Sequence, residues 1–203
     1  MDKKIKYIIA IAAFAAVMIV AVKGYDYLSK RYTPEQNEID LTSQSSTDEN
    51  TEDSSQDTGE STEDRVMAID FTVLNQDKEE VKLSDYFGKP IVLNFWATWC
   101  GPCQSELPAF EKAAKTYGDS VVIMMINLTD GQRETISTVE EFIEENEYAL
   151  PVYYDTTLQA GTIYGASSIP LTYFISPEGE VVKGYMGALS EEVLFSSIDE
   201  LLQ

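Results

Sequence analysis

Residues 90–103 read PIVLNFWATWCGPC, an apolar run that ends in two cysteines separated by Gly101 and Pro102. A run of this length suits a central strand that is buried on both faces of a sheet. Proline is accepted in the first turn of a helix, where its missing N–H would have no partner anyway. The stretch therefore predicts a buried strand that delivers Cys100 and Cys103 to the start of a helix.

This placement gives the two cysteines different roles. At a helix N-terminus, free backbone N–H groups and the positive end of the helix dipole stabilise a thiolate, which is the nucleophile of disulfide exchange. We therefore predict Cys100 as the nucleophile. Cys103 follows three residues later, close enough to attack a mixed disulfide formed at Cys100 and to release the partner, so it is the predicted resolving cysteine.

Other roles for the pair are disfavoured by composition. The chain has two cysteines and no histidine, so it lacks the ligands that a zinc site needs, and no metal or other cofactor is expected. A structural disulfide that closes so short a loop would gain little entropy. Two unreactive buried thiols remain an alternative, although a Gly-Pro turn between them argues against it.

The charge balance excludes one class of partner. The 203 residues include 35 Asp and Glu but 14 Lys and Arg, which gives a formal net charge of −21. Nucleic-acid binding needs clustered cations, so no nucleic acid is expected as a partner.

The N-terminus carries the features of a membrane anchor. A short basic head, residues 1–6, precedes an unbroken apolar run from Tyr7 to Val22, and Lys23 closes that run. Gly24 and Tyr25 can extend the helix into the interface, so residues 7–25 are predicted to be a single-pass transmembrane anchor. A cleaved signal peptide is the alternative, but no convincing cleavage site follows the run. We expect the remainder of the chain on the extracytoplasmic side of the cell membrane.

Residues 26–64 are predicted to be a disordered linker. Thr33 to Asp64 holds eleven acidic residues and twelve Ser or Thr, with Ile39 and Leu41 as its only aliphatic residues. Such a segment cannot bury enough apolar surface to offset the entropy of ordering, and it is interpreted as a solvated spacer.

From residue 65 to residue 203 the pattern is that of one globular α/β domain. Strands and helices alternate first, and a hairpin followed by a helix ends the chain, which predicts a mixed sheet with helices on both faces. The predicted strands lie at 71–75, 80–83, 90–97, 120–128, 152–154, 171–176 and 180–186. The predicted helices are a short turn capped by Ser84 and the segments 102–117, 136–148, 156–164 and 190–201, the last capped by Ser190.

The stretch Trp99 to Cys103 resembles the hallmark of the thioredoxin superfamily, and its surroundings resemble the TlpA/ResA-type membrane-anchored proteins. The resemblance covers about Val66 to Gln203. It implies a thioredoxin-like fold with an N-terminal β-hairpin and an inserted helix and strand. The blocks that carry it are Leu93–Cys100, Cys103–Pro108, Tyr164–Gly165, Ile169–Pro170 and Phe174–Gly179.

The resemblance also implies further site residues. Pro170 corresponds to the family's cis-proline, next to which Ile169 would present its backbone to a substrate, and Glu106 corresponds to a glutamate that relays a proton to and from Cys103. A surface glutamate that stabilises the helix dipole is the alternative for Glu106. Residues implied to contact substrate are Trp99, Gly101, Pro102, Ile169 and Pro170. After the proline the sequence departs from the family pattern, with Leu171 in place of a threonine.

The function that the resemblance implies is reduction of disulfides in exported proteins, for example during cytochrome c maturation. Thiols and disulfides of exported proteins would be the clients. A membrane electron donor of the CcdA/DsbD type would reduce the oxidised cysteine pair again after each turnover. The alternatives are a dithiol oxidase that forms disulfides, a peroxiredoxin-like thiol peroxidase, and an adhesion or sensory module without enzymatic activity. Cys100 lacks the Pro-x-x-x-Thr/Ser-x-x-Cys context of the peroxidases.

Overall fold

The computed structural model describes residues 65–203 and the backbone of Asn37–Glu38. The predicted head (residues 1–6) and anchor (7–25) lie outside the described residues, as does the rest of the predicted linker (26–64). Within the described part of the chain, no helix combines the length and the apolar character needed to cross a bilayer.

The described strands form one mixed sheet. The strands are β1 Asn37–Glu38, β2 Thr72–Leu74, β3 Glu80–Lys82, β4 Ile91–Trp96, β5 Val122–Asn127, β6 Val152–Tyr154, β7 Leu171–Ile175 and β8 Val181–Met186. In space they lie in the order β1-β8-β7-β4-β5-β6-β2-β3. At the centre, β4 runs parallel to β5 and antiparallel to β7, and all six of its residues are buried, as its apolar run predicts.

Helices cover both faces of this sheet and create two cores. The helices are α1 Gly101–Tyr117, α2 Ile136–Glu145, α3 Gln159–Ile163 and α4 Glu191–Leu201, with a 3₁₀ helix at Leu83–Tyr86. Side chains alternate along a strand, so Val92 and Trp96 of β4 face one core while Leu93 and Phe95 face the other. Helices α1, α2 and α4 contribute to the first core, and α3 contributes Ala160 to the second.

Two predicted helices are shorter in the structure because residues beside them adopt left-handed backbone angles. Leu158 has a φ of 56°, which a right-handed helix cannot accommodate, so α3 begins at Gln159 rather than at residue 156. Glu147 has a φ of 55°, and α2 ends before it, at Glu145 instead of residue 148.

The predicted cap at Ser84 is wrong. The 3₁₀ helix begins at Leu83, with Lys82 at its N-cap. The Ser84 backbone N–H and its hydroxyl both donate to the carboxylate of Asp70, each over 2.9 Å. Ser190, by contrast, caps α4 as predicted, since its hydroxyl accepts from the backbone N–H of Val193.

The short strand β1 falls inside the predicted linker. Asn37 lies opposite Met186 and Glu38 lies opposite Tyr185, in an antiparallel pairing with β8. These two residues thus extend the sheet at its β8 edge. Disorder of the rest of the linker stays a prediction.

The topology brings several strand ends to one edge of the sheet. Trp96 at the end of β4 pairs in parallel with Asn127 at the end of β5. Leu171 begins β7 opposite Phe95, and the backbone N–H of Gly187, just after β8, donates to the carbonyl of Pro170 over 2.8 Å. The CGPC turn emerges at this same edge.

Candidate active site

Cys100 and Cys103 form a disulfide at the start of α1. Cys100 is the N-cap residue of the helix, and its Sγ accepts a hydrogen bond from the backbone N–H of Cys103 over 3.2 Å. The exposed fraction is 6% for Cys100 and 0% for Cys103. Of the two cysteines, Cys100 alone retains exposed surface, which fits the predicted division into nucleophile and resolving cysteine.

The residues around Cys100 form an exposed rim. Gly101 and Pro102 are exposed, and Pro102 lies in the first turn of α1 as predicted. Trp99 is 43% exposed, a large fraction for an indole. A partner chain can therefore contact Trp99, Gly101 and Pro102 while its own sulfur approaches Cys100.

Ile169 and Pro170 lie on the other side of the disulfide. Their peptide bond is cis, the conformation that the family resemblance implied. The carbonyl oxygen of Ile169 is 3.7 Å from the Sγ of Cys100, and Pro170 is buried. The backbone of this segment thus borders the reactive sulfur, as the family resemblance implied.

Glu106 is buried one helical turn after Cys103, with an exposed fraction of 1%. Burial raises the pKa of its carboxyl to about 7, although two hydrogen bonds act in the opposite direction. These come from the backbone N–H of Leu189 to Oε2 (2.9 Å) and from Nδ2 of Asn94 to Oε1 (2.8 Å). The alternative of a surface glutamate is wrong. A carboxyl with a pKa near neutrality can accept or release a proton under physiological conditions.

Asn94 links this glutamate to the central sheet. It lies between Val92 and Trp96 on β4, so alternation turns its side chain toward α1. Its Nδ2 also donates to the hydroxyl of Thr172 on β7 over 2.9 Å. Thr172 belongs to the segment that departs from the family pattern, and it serves here as a buried acceptor.

Glu134 is a site residue that the sequence analysis missed. It is fully buried, and its carboxylate accepts three hydrogen bonds of 2.7 Å: from the backbone N–H of Thr98, from the Thr98 hydroxyl and from Nδ2 of Asn127. The bonds tie the loop before α2 to the residues that lead into Cys100. Nothing in the local sequence separates this glutamate from the chain's other acidic residues.

Arg133, next to Glu134, was also missed. Its guanidinium carbon lies 3.8 Å from the ring centroid of Trp99, a cation–π contact at the rim of the site. The indole is thus partly covered by a basic side chain from a neighbouring loop. This contact joins residues 34 positions apart in the chain, and no periodic pattern in the sequence predicts it.

Comparison with known proteins places this site in a family. The AhpC/TSA family model matches residues 65–183. The thiol-disulfide oxidoreductase ResA of Oceanobacillus iheyensis is 35% identical over 125 residues, which span 62% of this chain and 64% of that protein. ResA of Bacillus subtilis is 33% identical over 128 residues, 63% of this chain and 69% of that protein. The crystal structure of StoA from Bacillus subtilis superposes with a TM-score of 0.57 at 26% identity and covers 66% of this chain and 98% of that one.

Proposed function

Because this chain belongs to the AhpC/TSA family of thioredoxin-like proteins and is a thiol–disulfide oxidoreductase, we propose that it reduces disulfide bonds in exported proteins. One observation carries the proposal: a largely buried disulfide at a helix N-terminus, with a buried carboxyl of near-neutral pKa one helical turn after Cys103.

The first step uses the reduced form of the site. The thiolate of Cys100, stabilised by the helix N-terminus, attacks one sulfur of a client disulfide. A bond forms between Cys100 and the client, and the client's second sulfur leaves as a thiolate. The bound chain would lie along the backbone of Ile169, beside the exposed rim at Trp99.

In the second step Cys103 attacks Cys100. Its thiol must lose a proton to become nucleophilic, and Glu106 is the buried group one turn away that can accept it. The new bond is the Cys100–Cys103 disulfide, and the client departs with its second thiolate. Two electrons have passed from the enzyme to the client, which is now a dithiol.

The cellular setting extends the proposal. The apolar run at residues 7–25 supports a single-pass anchor, and the acidic linker supports a catalytic domain held on the extracytoplasmic side. An exported reductant needs a source of electrons, so we include a membrane donor of the CcdA/DsbD type as a partner. Both relatives compared above are named thiol-disulfide oxidoreductase ResA. We take apocytochrome c as the first client to test.

Trapping of mixed disulfides tests the mechanism. Cys103→Ser leaves Cys100 able to attack but removes the resolving thiol, so client adducts should accumulate. They are detected on non-reducing gels and identified by mass spectrometry. The control is the same variant with Cys100→Ser added, which should trap nothing. Absence of Cys100-dependent adducts would exclude the exchange mechanism.

The direction of electron flow is tested separately by the reduction potential. A reductant should have a reduction potential of about −270 mV, whereas a strong dithiol oxidase would have one of about −120 mV. Equilibration of the protein with glutathione or dithiothreitol buffers gives the value. A potential at the oxidising end would assign disulfide formation instead.

A further inference from the structure

We propose that Arg133, stacked on Trp99, selects client segments that carry a carboxylate beside the cysteine attacked by Cys100. The inference rests on the disulfide exchange proposed above and adds a specificity-determining residue to it. The partner is thereby defined by its chemistry as an acidic segment around a disulfide.

The position of Trp99 makes it a point of contact for any client. Trp99 directly precedes Cys100 and is 43% exposed, so a chain bound at the sulfur passes next to it. The guanidinium carbon of Arg133 lies 3.8 Å from its ring centroid, and Arg133 itself is exposed. A client that reaches Cys100 therefore meets an aromatic ring and a cation together.

The loop that carries Arg133 is firmly held. The neighbouring Glu134 is fully buried and accepts two hydrogen bonds from Thr98, both of 2.7 Å. In the same loop, Oδ1 of Asp130 accepts the backbone N–H groups of Gln132 (2.8 Å) and Glu134 (2.9 Å). The backbone on both sides of Arg133 is thus fixed, which lowers the entropy that binding through this side chain would cost.

The charge around the disulfide singles out this residue. The segments 96–107, 127–135, 165–172 and 186–190 surround the site, and Arg133 is their only Lys or Arg. The acidic residues among them are Glu106 and Glu134, both buried, and Asp130, which interacts electrostatically with Arg133. The net charge of the chain is −21, and among these four described segments Arg133 is the one basic residue that could bind an acidic client.

The chemistry of arginine defines the ligand. A guanidinium that stacks on an indole through its plane keeps its N–H donors at the edge of that plane, where a carboxylate can accept two of them. Within residues 65–203, no carboxylate oxygen lies within ion-pairing distance of Arg133. An aspartate, a glutamate or a terminal carboxylate next to the client cysteine matches this arrangement.

The test compares two disulfide-linked peptides that are identical except for Asp or Asn beside the attacked cysteine. Reduced full-length protein and its Arg133→Gln variant are mixed with each peptide at low salt, and the second-order rate of reduction is measured. We expect the wild-type protein to reduce the Asp peptide about twofold to fivefold faster, the range of an exposed ion pair. In Arg133→Gln the ratio of the two rates should fall to about one.

Two further variants sharpen the result. Lys82→Gln removes the same charge from the exposed end of β3 and should leave the preference intact. Arg133→Lys keeps the charge but loses the planar fork, so it should retain part of the preference. The inference would be overturned if the wild-type protein reduced both peptides at the same rate. It would also be overturned if Arg133→Gln kept the preference for the Asp peptide, or lost rate equally on both peptides. Failure of the wild-type protein to reduce either peptide would instead reject the proposed function.

Discussion

The side-chain amide of Asn94 donates a hydrogen bond to the carboxylate of Glu106, with 2.8 Å between Nδ2 and Oε1. Both residues are buried, one on the central strand β4 and the other on α1, the helix that carries the cysteines. The bond opposes the effect of burial, which would otherwise raise the pKa of Glu106 further. The strand therefore helps to set the pKa of Glu106, which lies one helical turn after Cys103.

Replacement of Glu106 should slow the second step of exchange. In Glu106→Gln no carboxylate can accept the proton of Cys103, and we expect release of the client to slow by about tenfold or more. In the wild-type protein the rate should rise with pH through about 7, the pKa of Glu106, and this inflection should be absent from the variant. Single-turnover reduction of a peptide disulfide, followed by tryptophan fluorescence, measures both. An exposed glutamate on α2 provides the control, Glu145→Gln, and an identical pH profile in Glu106→Gln would contradict the relay.

The same substitution should change how stability depends on pH. Burial raises the pKa of Glu106 to about 7 in the folded protein, against 4.5 for an ordinary glutamate, so the folded state binds more protons between these pH values. The free energy of unfolding should therefore fall as pH rises from about 4.5 to about 7. The contribution of Glu106 to this fall is on the order of 3 kcal/mol. Urea unfolding of the oxidised protein at several pH values measures it. In Glu106→Gln the free energy of unfolding should not show this contribution. If the plots of unfolding free energy against pH were parallel for the variant and the wild type, the pKa of Glu106 would not be raised.

Removal of the Asn94 amide should move the titration of Glu106 upward. Asn94→Ala deletes a hydrogen bond that favours the ionised carboxylate, so the inflection in the exchange rate should shift to a pH above that of the wild type. Thr172→Val is the matched control, because it removes the other partner of Asn94 and leaves the bond to Glu106 in place. A shift in Thr172→Val but not in Asn94→Ala would assign the effect to the strand β7 instead.

Loss of the Glu134 carboxylate should loosen the approach to Cys100. In Glu134→Gln, one of the two oxygens becomes an amide nitrogen, so at least one donor among those of Thr98 and Asn127 loses its acceptor in a buried position. We expect a destabilisation of about 1–3 kcal/mol and faster hydrogen exchange at the Thr98 amide. Chemical unfolding and exchange measured by NMR check this, with Glu145→Gln as the control. Unchanged protection at Thr98 would refute the role assigned to Glu134.

Much of the architecture could be predicted from local patterns in the sequence. The run Ile91–Trp96 predicted a strand buried on both faces, and Pro102 beside two cysteines predicted the start of a helix with Cys100 at its N-cap. The failures are also local in origin. The sequence around Leu158 allows a helical turn, but that residue adopts a left-handed φ, and the helix begins after it. In the same segment the carboxylate of Asp155 accepts the Gly161 N–H over 2.8 Å.

What the sequence determined by itself is the chemistry of the pair Cys100 and Cys103. A thiol is identified by its residue type, and a strand-to-helix turn by short-range preferences, so neither requires knowledge of distant contacts. The resemblance to a family supplied Glu106 and Pro170. The structure buries Glu106 one helical turn after Cys103 and places the cis peptide bond of Pro170 next to the Ile169 carbonyl that lies near Cys100.

Only the tertiary structure decided which of the chain's many charged residues act at this site. Glu134 accepts a hydrogen bond from Thr98, 36 residues earlier in the chain, and Arg133 contacts Trp99, 34 residues earlier. Both contacts form because the parallel pairing of β4 and β5 brings the ends of these strands to one edge of the sheet. Such contacts depend on chain crossings that no short window of sequence contains. The two cysteines define the reaction, and the fold defines the charged groups that surround it.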